Sequence, residues 1–156
     1  MDEAKEEKEE PLLAHSSNRN MIALNSYSTP KGGILAEVIY IKDLKNMSKI
    51  DIKGKIVFAE TSPYSFYKAA IVDGKAAGIM TYNNPNYLQP EKNTTSIQFR
   101  SIPLDSIHKP WAIAMSFAAK ERLKKSLEKG KTILNVKIET NIYPSEELTI
   151  IADIKG

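Results

Sequence analysis

The chain of 156 residues contains no cysteine, two histidines and one tryptophan. Without cysteine there is no disulfide framework, no thiol nucleophile, no iron–sulfur cluster and no cysteine-ligated zinc. No stretch approaches the roughly 18 consecutive apolar residues that a membrane helix requires, so no membrane span is expected. The start is acidic where a secretory signal is basic and then apolar, which reads as cytoplasmic, or extracytoplasmic if an export signal has been trimmed away. His15 and His108 are far apart, and no H-E-x-x-H or His-x-Asp sequence occurs. G-x-S-x-G and G-x-G-x-x-G are also missing, and Gly54-Lys55 is followed by Ile56 where a phosphate loop needs Ser or Thr. The residues thus present no catalytic constellation, and no metal or other cofactor is expected.

What is present is an ordinary globular composition, 42% hydrophobic and 26% charged, long enough for a single core. The net charge of +3 is uneven. Residues 1–10 carry −4, with six acids and two lysines, which leaves +7 on the remainder. The basic residues do not alternate with aromatics as a stacking platform for nucleic acid would, so a solvated surface and no nucleic-acid partner are expected. Lys120, Arg122, Lys124, Lys125, Lys129 and Lys131 crowd one segment, which is read as the outer face of a helix with a narrow apolar stripe.

Along the chain, residues 1–20 read as an acidic, disordered tail and loop. Met21 to Leu24 reads as a short strand, and Tyr27 to Gly33 as a turn. Ile34 to Ile41 is rich in β-branched residues, interrupted by charge only at Glu37, and reads as a strand largely buried on both faces. Lys42 to Lys53 reads as a loop or one helical turn. Lys55 to Glu60 is a short apolar strand; Tyr64 to Val72 has helical spacing with Ser65 as N-cap; Gly78 to Tyr82 is the next strand. A connection of this length favours a parallel crossover over a hairpin. Asn83 to Thr95 is loop, and Ile97 to Ile107 a weak strand. Trp111 to Lys129 fits one helix, or a strand followed by a helix capped by Ser116. The ladder Ala119, Leu123, Leu127 and the stop at Gly130 favour the second. Thr132 to Thr140 and Leu148 to Ile154 read as the last strands. The sum is an α+β layered domain.

The arrangement Tyr27-Ser28-Thr29-Pro30 … Gly33-Ile34 … Val38-Ile39-Tyr40 … Ile52-Lys53-Gly54-Lys55-Ile56-Val57 … Phe66-Tyr67-Lys68-Ala69 … Ala76-Ala77-Gly78-Ile79-Met80-Thr81-Tyr82-Asn83 resembles the protease-associated (PA) domain. Ser101-Ile102-Pro103, the helix with Leu123 and Leu127, Gly130 and the strand to Thr140 continue the likeness, which spans residues 22 to 140. The nearest kind is the PA domain inserted in zinc-dependent aminopeptidases of the glutamate-carboxypeptidase and transferrin-receptor type. One departure is Lys75, where that family usually has glycine; the adjacent Gly74 is expected to take over the turn.

The resemblance implies a swivelling β/β/α fold, with small β-sheets or an open barrel flanked by two or three helices. It divides the chain into a tail (1–20), a PA-like domain (21–145) and a segment (146–156) that resembles the first strand of the peptidase domain in that family. It implies a non-catalytic role: a lid, or a substrate- or protein-interaction domain, of a larger metallo-aminopeptidase or a truncated product of one. The alternative is one half of an active zinc aminopeptidase whose catalytic domain is on another chain. Implied partners are a peptide or protein substrate, or the parent enzyme's peptidase domain. The family transfers no catalytic residues. From the residues themselves, Tyr82, Asn83, Asn84 and Tyr87 form the expected contact surface, because asparagine tolerates unusual backbone angles and tyrosine gives amphipathic contact at low entropy cost.

Overall fold

A computed structural model describes residues 10–154. Five strands form one mixed sheet: β1 (Ile34–Tyr40), β2 (Ile56–Ala59), β3 (Gly78–Thr81), β4 (Ala112–Ala114) and β5 (Ile133–Val136), in the order β4-β3-β2-β1-β5. β1 to β4 are mutually parallel, with Val38 opposite Ile56, Ile56 opposite Gly78 and Ile79 opposite Ala112. β5 returns antiparallel along β1, placing Ile34 opposite Val136 and Glu37 opposite Ile133. The expected parallel crossover between β2 and β3 is therefore present, and the fold is α+β.

The alternation of side chains along β2 builds both layers of the core. Ile56 and Phe58 face one layer with Met80, Trp111, Ile113, Leu123 and Val136. Val57 and Ala59 face the other, with Phe66, Ala70, Ile71, Ile79 and Met47. α2 (Phe117–Lys129) covers the first layer through Ala119 and Leu123. The second is covered by α1 (Pro63–Tyr67), the π-helical stretch Lys68–Asp73 that continues it, and the 3-10 turn Leu44–Lys49. Gly78 lets Trp111 lie flat on β3, since a Cβ there would overlap the indole. No helix among the described residues is long and apolar enough to cross a membrane.

Several expectations are corrected. β1 is buried unevenly: Ala36 and Val38 are inside and Ile39 packs partly buried against the second layer, but Leu35 is 76% exposed. Ser65 is not the cap of α1. Pro63 takes the first helical position, where its missing N–H costs nothing, and Ser62 precedes it without a side-chain cap bond. Gly74 does not take over the turn before β3. It is right-handed at φ −87°, while Lys75 itself adopts the left-handed conformation at φ +54°. Gly74 is needed for space instead, beneath Ile52 and the Ala69 carbonyl.

Met21 to Leu24 forms only two bridges, Ile22 with Ile113 and Leu24 with Ser101, and the latter is all that remains of the strand expected over Ile97 to Ile107. Residues 1–9 of the acidic segment, and Lys155 and Gly156, lie outside the described residues. Residues 10–13 are no loose tail: Leu12 and Leu13 pack on the core, and the Arg122 guanidinium donates to the carbonyls of Glu10 and Pro11. Leu148 to Ile154, expected as a strand, is irregular and exposed.

Candidate functional site

In open sheets of parallel strands, ligands meet the carboxyl ends, where loops diverge and no strand continues. Here those ends carry Tyr40 (β1), Glu60 (after β2), Tyr82 (after β3) and Ser116 (after β4). The Ser116 hydroxyl accepts from the Ala119 N–H, as a cap should, and this starts α2 so that Lys120 and Lys124 reach back over the strand ends.

Glu60 is the hub. Its Oε1 accepts from the Tyr40 hydroxyl at 2.5 Å and from Lys124 Nζ at 2.7 Å, and its Oε2 is 4.0 Å from Lys120 Nζ. Lys120 is only 6% exposed. Its ammonium contacts Glu121 Oε1 at 2.5 Å and lies 4.8 Å from the Tyr82 ring centre and 4.4 Å from that of Phe117. Those two rings meet edge to face at 6.3 Å, and Tyr40 stacks on Phe58 at 4.8 Å.

Partial burial alone would push the Glu60 carboxyl up; the bonds from Lys124 and Tyr40 and the charges of both lysines outweigh it and hold the group below its ordinary value. The same contacts raise Lys124, mainly through its bond to Glu60. Burial, and then the Glu60 bond and charge, raise the Tyr40 hydroxyl. At neutral pH the site is thus an anion held by a phenol and two ammonium groups, with no free base or nucleophile.

The four sequence-predicted contact residues divide. Tyr82 is 8% exposed, with the Lys120 ammonium over its ring. Asn83 is exposed, and its carbonyl accepts from the Arg100 guanidinium. The Asn84 amide donates to the Ser96 carbonyl at 3.1 Å, which ties the loop to the segment that follows it. Tyr87 stands on the 3-10 turn Asn86–Leu88 and is 81% exposed. Lys120, read from the sequence as part of a solvated helix face, is instead buried. Glu60 and Tyr40 gave no motif; the one available signal was an acid directly after the apolar run of β2.

A second polar cluster lies away from the strand ends. The Asp105 carboxylate accepts from the Tyr67 hydroxyl at 2.6 Å, from the N–H groups of Ile107 and His108 at 3.0 and 2.9 Å, and contacts His108 Nδ1 at 2.7 Å. These bonds, Tyr67 first and then the His108 N–H, hold the carboxyl far below the usual carboxylate range. Burial and the neighbouring carboxylate push the Tyr67 phenol well up. The cluster clamps the 103–109 loop to α1. Among the described residues no three His, Asp or Glu side chains converge as a metal site would.

No family model and no curated protein sequence matches the chain. Among solved structures, its fold is similar to part of a peptidase M28 precursor from Shewanella amazonensis, at 13% identity and a TM-score of 0.52. The match covers 76% of this chain and 30% of that one, so this chain spans under a third of the neighbour's length. At that identity the likeness establishes the fold alone.

Proposed function

We propose that the chain is a peptidase-related module of the protease-associated kind, without catalysis of its own, that acts as a lid or as a substrate- or protein-interaction domain of a metallo-aminopeptidase. The observation that carries this reading is the fold likeness to a limited portion of a peptidase M28 precursor. It is supported by the chemistry of the strand ends, where Glu60, Lys120 and Lys124 satisfy one another. The contact surface in this reading is the loop after β3, where Asn83 and Tyr87 are exposed.

The test is direct. Purified chain incubated with zinc or cobalt and an aminoacyl chromogenic substrate should give no turnover above the metal alone. Turnover that a chelator abolishes would show an active site within the chain and overturn the proposal.

A further inference from the structure

The sheet has two edges, and they are treated differently. At the β4 edge, residues 21–24 lie alongside: the Ala23 N–H donates to the Ala112 carbonyl and the Ala114 N–H to the Met21 carbonyl. At the β5 edge nothing pairs among the described residues. The Val38 N–H donates to the Thr132 carbonyl, so the even residues of β5 face β1. In an antiparallel ladder the N–H and C=O groups of Ile133, Asn135 and Lys137 must then point outward. This is an open strand-addition edge without proline or a bulge.

Beside that edge lies a cavity of about 650 Å³, lined by Leu12, Leu13, Met21, Met80, Leu123 and Val136 among others. It opens on the face to which the even side chains of β5 point. The same chain carries an exposed apolar segment that pairs with nothing among the described residues. Leu148, Ile150, Ile151 and Ile154 are 88%, 95%, 86% and 95% exposed, and period-two alternation puts Leu148, Ile150, Ala152 and Ile154 on one side.

We propose that residues 147–153 of one copy add antiparallel to β5 of a second copy, with the exchange reciprocated. One register satisfies every constraint at once: Glu147 opposite Lys137, Thr149 opposite Asn135, Ile151 opposite Ile133 and Asp153 opposite Lys131. These are the residues whose backbone groups face outward. Opposite charges close both ends of the added strand. Leu148 and Ile150 fall opposite Val136 and Leu134 and point toward the cavity, while Ile151 extends the exposed pair Leu35 and Ile133 on the other face. Reciprocal exchange gives a closed two-fold dimer rather than a filament.

Within one copy the segment does not lie on its own β5: none of residues 147–154 pairs with it among the described residues, and Leu148, Ile150, Ile151 and Ile154 stay exposed. The Thr140 N–H donates to the Ser28 hydroxyl and the Thr140 hydroxyl to the Ser26 carbonyl, holding 138–140 in line with β5.

Sedimentation of the full chain at micromolar to hundreds of micromolar concentration should show a species of twice 17.4 kDa. Ile151→Pro removes a ladder N–H from a segment that touches nothing else described, so the variant should keep its far-ultraviolet spectrum and sediment as a monomer. Lys137→Glu should weaken the dimer about tenfold, and adding Glu147→Lys should restore it. A wild-type monomer throughout this range overturns the proposal, including one whose amides at 149 and 151 are protected from exchange by pairing within the same chain. A dimer unmoved by Ile151→Pro and by the charge reversals overturns it as well. The proposal does not rest on the peptidase-related reading, because its readouts involve neither peptide nor metal.

Discussion

At the scale of single residues, Asp105 holds the most bonds of any side chain described, four acceptor contacts from three residues. A carboxylate so satisfied binds protons less readily in the folded than in the unfolded chain, where its ordinary value is about 3.9. The lowered folded value fixes the sign: the stabilisation is full at pH values above the unfolded pKa, and disappears as pH falls from about 4 toward the much lower folded value. Tyr67→Phe removes the first of the groups that lower it, so its acid unfolding midpoint should move to higher pH. Asp105→Asn should be less stable than wild type at neutral pH, and the difference should shrink as acid is added. Denaturant titrations at pH 7 and at pH 3 measure both. An Asp105→Asn penalty that is the same at the two pH values would mean the carboxylate's charge contributes nothing.

At the scale of elements, α2 shows how a local signal becomes a tertiary one. Ser116 follows the apolar triplet of β4, satisfies an amide of the first turn, and so sets the rotation at which Ala119 and Leu123 face the sheet. Ser116→Ala should cost about 1 kcal/mol by chemical denaturation, and Ser116→Gly only a few tenths beyond its local backbone effect. A loss within measurement error for the alanine variant would show that tertiary packing alone positions the helix. β2, β3, β4 and α2 were legible because each is a short apolar run or a stripe bounded by a cap or a glycine. What was not legible depended on coverage. The run Ile34 to Ile41 looks the same whether or not a helix lies over its odd residues, and only the structure shows Leu35 bare. Lys120 sits one position beyond Ala119 in the stripe, and periodicity alone cannot tell that its ammonium lies over the Tyr82 and Phe117 rings. Tyr82 itself directly follows the last residue of β3, so a one-residue boundary decides whether it is loop contact or core. Glu60, Tyr40 and Lys124 are separated by up to 84 positions in the chain and meet only because parallel strands end side by side.

At the scale of the whole molecule, the central strands join two apolar layers into one unit. Every side chain of β2 is essentially inaccessible, with Phe58 packed toward α2 and Val57 toward α1, so neither layer can open without exposing its share of the same strand. Phe66 lies in the α1 layer and the sole tryptophan, Trp111, in the α2 layer. Phe66→Ala should cost about 3–5 kcal/mol, the usual range for emptying a buried aromatic site. If the layers unfold together, that cost reaches Trp111 on the far side of the sheet. The fluorescence midpoint of Trp111 and the far-ultraviolet midpoint should then move down by the same amount in urea. Phe66→Leu, which leaves a smaller void, should keep the two midpoints coincident at a higher concentration. The contrary result is a Trp111 midpoint that stays at the wild-type position while part of the helical signal is lost. That would mean α1 and the π-helical stretch unfold separately from the sheet they cover, and the two layers would have to be treated as independent in stability.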